Sequence, residues 1–257
     1  MLIGFSLLKK FLLLVLPFIV SSNAWADISI QNDQQYFGDD GTLHIVGEIE
    51  NNFNAPINQI EIKANLFSKG VLIDTVNSHA MLNTIMPEMK GPFDVLVLGE
   101  VAKHVDEYSL EINYKITEPK NQVIDITSTN FVRDDSDNLV IKGTVANRGD
   151  ITANTIVVVA TLYDRDGKVA AVSKTHVEPD YLGAEDQSFF FVSIPDKSKS
   201  NSIVDYTVVA ESEEYTAVPE FPFGSMIFLV TSVSAYVILV RYSSRVTANL
   251  VSATGSK

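Results

Sequence analysis

"LHIVGEIEN" at residues 43–51 returns 96 residues later as "LVIKGTVAN" at residues 139–147. In the first stretch Leu43, Ile45, Gly47 and Ile49 share one side of an extended chain, and His44, Val46, Glu48 and Glu50 take the other. The second stretch repeats the pattern with Leu139, Ile141, Gly143 and Val145. A period of two marks a half-buried β-strand, because successive side chains of an extended backbone point to opposite faces. Each copy closes on an asparagine, Asn51 or Asn147.

Outward from this pair, the same offset sets Ile28 on Ile124, Ile30 on Ile126, Asp39 on Asp135, Asn58 on Asn154, Ala64 on Ala160 and Leu66 on Leu162. One residue of slippage is expected where "SKG" (68–70) meets "DRDG" (164–167). It closes again before Met86 meets Leu182, so that Phe93 falls on Phe189. A register kept over that length marks two copies of one domain, residues 27–120 and 121–216. Within each copy, alternating runs such as Ile60, Ile62, Ala64 and Leu66 are separated by turn-forming stretches, "FGDDG" and "FNAP" in one copy and "RDDSDN" and "NRGD" in the other. Six or seven such strands in about 95 residues, with no amphipathic helix, predict an all-β body of two tandem immunoglobulin-like antiparallel β-sandwiches. The short junction "TEPKNQ" (117–122) predicts a fixed relation between them. "YDRDGK" (163–168) lacks the further oxygen ligands and the closing Glu of an EF-hand loop. It predicts a hairpin turn with Gly167 in the left-handed region.

The two ends are of another kind. Residues 1–26 read as a signal peptide: Lys9 and Lys10, a ten-residue apolar core at 11–20, and a cleavage site at Ala24-Trp25-Ala26, where Ala24 and Ala26 are the small residues required. Residues 217–245 hold an acidic-to-apolar switch and a 20-residue apolar run at 221–240, about 30 Å as a helix. This predicts one C-terminal transmembrane helix, followed by a short cytoplasmic tail at 246–257. Arg241 and Arg245 on the inner side place the two domains outside the membrane. C-terminal apolar segments are in some proteins cut away, so a permanent anchor and a processed tag both stay open.

Charge and composition exclude several classes of function. All 32 acidic residues lie between Asp27 and Glu220, against 14 of the 19 basic ones, a net of −18 there. Such a surface repels nucleic acid, which is not expected as a partner. The chain has no cysteine, so disulfides, thiolate metal sites and thiol nucleophiles are excluded and core burial must supply the stability. It has no G-x-S-x-G elbow, Gly-rich phosphate loop or H-E-x-x-H, so no enzyme and no cofactor are expected. Four histidines are present: His44, His79, His104 and His176. Allowing for the slip, His79 and His176 are equivalent, which makes them metal candidates; Asp134, Asp135 and Asp137 form an acidic turn that is a calcium candidate. Against both stand plainer readings, a shared exposed strand position and a solvated loop. Trp25, the only tryptophan, leaves with the signal, which counts against a sugar-binding platform.

Two resemblances rest on the residues just quoted. Residues 139–147, then Ala160-Thr161-Leu162-Tyr163-Asp164 with Gly167, and Phe189 make the second copy similar to the FxLYD domain family, with Ala160 standing where the family name has Phe. The first copy, reading Ala64-Asn65-Leu66-Phe67-Ser68, keeps less of the motif. That resemblance implies a small extracytoplasmic β-sandwich of bacteria and archaea without known catalysis. Pro219-Glu220-Phe221, Gly224, the apolar run, Arg241 and Arg245 resemble the archaeal PEFG-type sorting signals read by archaeosortases, with Pro222-Phe223 inserted and a tail that runs on to Lys257. This second resemblance implies an archaeosortase-like processing enzyme as partner and display at the cell surface, membrane-anchored before or after processing. The expected function is a non-catalytic cell-surface protein, an envelope structural or protein-interaction module that meets an unknown envelope or extracellular protein. The alternative is an envelope ligand-binding protein for metal ions or small solutes.

Overall fold

The computed structural model describes residues 28–134, 138–194 and 196–218. The signal cleavage positions Ala24 and Ala26, the sorting-motif positions Pro219, Glu220, Phe221, Gly224, Arg241 and Arg245, the expected transmembrane helix, and Asp135 and Asp137 lie outside the described residues.

The described chain is all-β and built of several antiparallel sheets. Its first half holds β1 (Ile28–Phe37), β2 (Leu43–Asn51), β3 (Ile57–Ser68), β4 (Val71–His79), β5 (Thr84–Ile85), β6 (Lys90–Val97) and β7 (Glu107–Ile116). One sheet runs β1-β2-β6; the other centres on β3, which pairs with β4, β5 and β7. The second half holds β8 (Gln122–Arg133), β9 (Leu139–Asn147), β10 (Ala153–Asn154), β11 (Val157–Tyr163), β12 (Val169–His176), β13 (Tyr181–Leu182), β14 (Gln187–Ile194), β15 (Asp205–Glu211) and β16 (Thr216–Ala217). Its sheets are β14-β9-β8-β16, β12-β11-β15 and the short pair β10-β13, and β16 lies parallel to β8. Helix among the described residues is confined to a 3-10 turn at Glu100–His104 and a single turn at Lys197–Ser200. No helix among them is long and apolar enough to cross a membrane.

Each half buries the side of its strands that the alternation marks. In the first, Leu43, Ile45 and Ile49 of β2 and Phe93, Val95 and Val97 of β6 meet Ile57, Ile62, Ala64 and Leu66 of β3. The second packs Ile141 and Val145 against Val158, Ala160, Leu162, Phe190 and Val192 in the same way. Each of the Leu, Ile, Val and Phe side chains taken fully from water contributes about 1.5–3 kcal/mol.

Strand pairing corrects the expected register in the later part of the repeat. β2 and β9 differ by 96 residues, but Gly47 pairs with Phe93 whereas Gly143 pairs with Phe190, and Ile57 pairs with Ile85 whereas Ala153 pairs with Leu182. The inserted residue in the "DRDG" turn is therefore never given back. Phe93 corresponds to Phe190, not Phe189, and Leu182 corresponds to Ile85, not Met86. The repeated glycine explains why the phenylalanine must hold its place. A Cβ on Gly47 would lie 2.7 Å from Phe93 Cζ, and one on Gly143 2.5 Å from Phe190 Cζ, so in each half an aromatic ring takes the space beside bare backbone.

The repeated asparagines are buried brackets. Asn51 Nδ2 donates to the carbonyls of Ala55 and Ile85 at 3.0 and 2.9 Å, and its Oδ1 accepts from Phe53 N–H. Asn147 does the same with Ile151, Leu182, Gly183 and Gly149. A side-chain amide can tie a loop to a neighbouring strand where no ladder bond reaches.

Candidate interaction surfaces

The side of β2 that faces away from the first core is the place where the two halves meet. Alternation alone leaves Val46 and Glu48 turned outward, yet the second half buries both. Tyr36, Val46 and Val169 form one apolar cluster, and Val159 and Ala217 of the second half join the core of the first. Glu48, 2 % exposed, accepts the Tyr163 hydroxyl at 2.5 Å and lies 3.4 Å from Lys90 Nζ. Gln34 Nε2 donates to Asp164 Oδ2 and to the Val169 carbonyl, and Lys168 Nζ donates to the Asp33 carbonyl. At the other end of the contact the Glu211 carboxylate accepts the backbone N–H groups of Asn83 and Thr84, at 2.6 and 3.2 Å. Burial raises its pKa, and those two N–H donors pull the other way. The junction is tied down as well: Lys120 Nζ donates to the Glu213 carbonyl at 2.8 Å, and Thr216 N–H to that of Asn121.

A mixed cluster seals the rim of this contact. The rings of Tyr36 and His44 stack at 4.8 Å, Lys199 Nζ sits 4.3 Å above the Tyr36 ring, and His44 Nδ1 lies 2.9 Å from Asp94 Oδ2. The Tyr36 hydroxyl points at Asp196, whose carboxylate also accepts from Asp39 N–H. Burial works against a charged His44, but the hydrogen bond and charge of Asp94, with Asp196 and Asp40 behind it, outweigh burial and leave its pKa above the usual imidazole value. Burial, Asp94 and Asp196 together hold the Tyr36 phenol neutral.

The corresponding sheet face of the second half is open around Lys142, Phe189 and Phe191. On the edge strand β14, Phe189 is 82 % and Phe191 67 % exposed, opposite Thr144 and Lys142 of β9. With His176, Glu178 and Ser128 they line a groove of about 740 Å³. A second cleft of about 640 Å³ runs between β8 and β15 and is lined by Asp125, Asp205 and Tyr206. Composition gave no cue to the exposed phenylalanines: "SFFF" reads equally well as core, and the face each ring takes depends on the one-residue slip.

The other sequence candidates fall as follows. His79 and His176 do occupy equivalent places, each closing the edge strand of its hairpin, opposite Glu61 and Val157, and both are exposed. Asp134 bonds within its own turn, accepting from the backbone and side-chain nitrogens of Asn138. Among the described residues no three acidic, histidine or cysteine side chains gather as a metal set. "YDRDGK" forms a hairpin turn: Asp164 Oδ1 accepts from the N–H groups of Asp166 and Lys168, and Gly167 has φ 74°. In the Leu162-Tyr163-Asp164 motif, Leu162 is core, Asp164 shapes the turn, and Tyr163 reaches across to the other half.

No protein-family model and no characterised protein sequence matches the chain. Among solved structures, an exo-chitosanase, CsxA of Amycolatopsis orientalis, is similar over 74 % of this chain and 26 % of its own, with 9 % identity and a TM-score of 0.26. Red sea bream transglutaminase is similar over 74 % of this chain and 29 % of its own, with 10 % identity and a TM-score of 0.22. The chain thus spans about a quarter of the length of these enzymes. Likeness at such scores carries no argument about catalysis.

Proposed function

We propose that this chain is a non-catalytic cell-surface protein, an envelope structural or protein-interaction module of two tandem immunoglobulin-like sandwiches. One observation carries the reading. Phe189 and Phe191 stand on the solvent side of an edge strand, beside Lys142, in a body whose buried acids Glu48 and Glu211 are already satisfied by structural partners. Large aromatics left exposed on a rigid sheet are the groups that anchor protein contacts. The signal-like start, the apolar C-terminal segment and the resemblances to FxLYD domains and to PEFG-type sorting signals support display outside the membrane, with an archaeosortase-like enzyme as the processing partner.

The groove beside these rings favours a second reading, an envelope protein that binds metal ions or small solutes. Its volume is that of a small-molecule site, and His176 and Glu178 lie on its wall. Two measurements decide between them. Capture of envelope proteins by the purified chain, lost in Phe191→Ser and indifferent to ions, supports the interaction module. A copper- or calcium-dependent rise in Tm supports the binding protein, because a ligand of the folded state stabilises it by mass action. Terminal-peptide mass analysis of the native protein reads the display. A chain from Asp27 to the 219–224 region with added mass means a removed tag; peptides reaching Lys257 mean a retained anchor.

A further inference from the structure

We propose that copies of this chain associate head to tail, with the β3–β4 hairpin of one copy seated on the open β9–β14 face of the next. This names a partner for the interaction module above and rests on that reading. The contact is one that each copy already makes internally. At the turn end of the β11–β12 hairpin Tyr163 pairs with Val169, and this pair rests on Glu48 and Val46 of β2. The repeat sets the same two surfaces a second time. Phe67 pairs with Leu72 at the matching point of the β3–β4 hairpin, while Lys142 and Thr144 hold the places of Val46 and Glu48.

Both of these surfaces carry large apolar side chains exposed to solvent. Val71 is 65 % and Leu72 53 % exposed at the hairpin, and on the receiving face Phe189 and Phe191 replace Pro92 and Asp94. Knob and face differ, so the contact is heterologous, and repeating it adds copy after copy, in a string that ends only where the rotation between copies closes a ring. The sheet behind the knob sets its strength. Behind the internal hairpin lie Val157, Val159 and Thr161, all buried, with Val159 part of the first half's core; the same places behind the free hairpin carry Glu61, Lys63 and Asn65. Between copies the apolar contact is therefore confined to the hairpin end, which makes the assembly reversible and dependent on concentration.

The cysteine-free sequence allows a direct test. Full-length Leu72→Cys and Lys142→Cys proteins, differently tagged and purified in detergent, are mixed and treated with a short bismaleimide. Both positions are exposed, so the fold is kept. The expected result is a mixed dimer carrying both tags, a ladder of oligomers from the double variant, and loss of both when Phe191→Asp is added. Dimers between like variants only, or a mixed yield no higher than that of Lys103→Cys with Lys142→Cys, overturn the proposal. The reaction reports contact between copies whether or not an envelope protein is captured, so it and the reading it rests on fail separately.

Discussion

His44 carries a proton more readily in the folded chain than out of it, because Asp94 at 2.9 Å, Asp196 and Asp40 all face it and outweigh its partial burial. A folded pKa above the unfolded one means that the stabilisation is fully present below the unfolded imidazole value, about 6.5, and is lost as pH rises through the higher folded value. Tyr36 stacks on the same ring without opposing it, and the Lys199 ammonium, whose own pKa burial lowers, lies over the far ring. The protein is therefore expected to melt at a higher temperature at pH 6 than at pH 8. Its general acidity contributes to that trend too, so the comparison with His44→Gln is decisive: this variant should lose part of the slope across that interval, as read by thermal unfolding at several pH values. A slope unchanged by the substitution would remove His44 from the account.

At the scale of the element, the β11–β12 hairpin shows how one segment serves two purposes. Asp164 folds its turn by accepting two backbone N–H groups, which sends Tyr163 and Val169 outward as a ridge. The ridge fits because Glu48 has no other hydroxyl to meet it, and a carboxylate 2 % exposed needs its donors. Tyr163→Phe is expected to destabilise the protein by about 1–3 kcal/mol, the cost of leaving a buried acceptor without its partner. Glu48→Gln in the same background should recover part of that loss, and urea unfolding of the double-mutant cycle measures the coupling. The first strand's core positions Val158, Ala160 and Leu162 were legible from alternation, and the turn from its Asp and Gly. That Tyr163 crosses to the other half was not, since a tyrosine after a buried leucine reads equally as a strand end facing water.

At the scale of the molecule, the two halves share more than a linker. Val159 and Ala217 belong to the first core, Glu211 accepts backbone N–H groups of the first half, and Glu48 Oε1 accepts the Tyr163 hydroxyl of the second. Neither half can leave the other without exposing a carboxylate site and an apolar cluster. A single calorimetric transition with equal van 't Hoff and calorimetric enthalpies is expected for the described body. Val169→Asp, which places a charge in the buried centre of the contact, should split it into two. Two transitions in the unaltered protein would mean that the contact does not join the halves into one cooperative unit.

The sequence by itself determined the all-β class, the repeat and the inward side of each central strand. These are local properties: alternation, turn residues and a glycine–asparagine spacing survive in a string of letters. It could not determine where the repeat resumes its register after the "DRDG" turn, because Phe189, Phe190 and Phe191 are chemically alike, and only the fit of one ring over Gly143 chooses among them. Nor could it show that the outer side of the first sheet is closed while that of the second is open. Val46 and Lys142 sit at equivalent places in equivalent strands, and what covers a sheet is decided by the position of the other half, through contacts between residues more than a hundred positions apart.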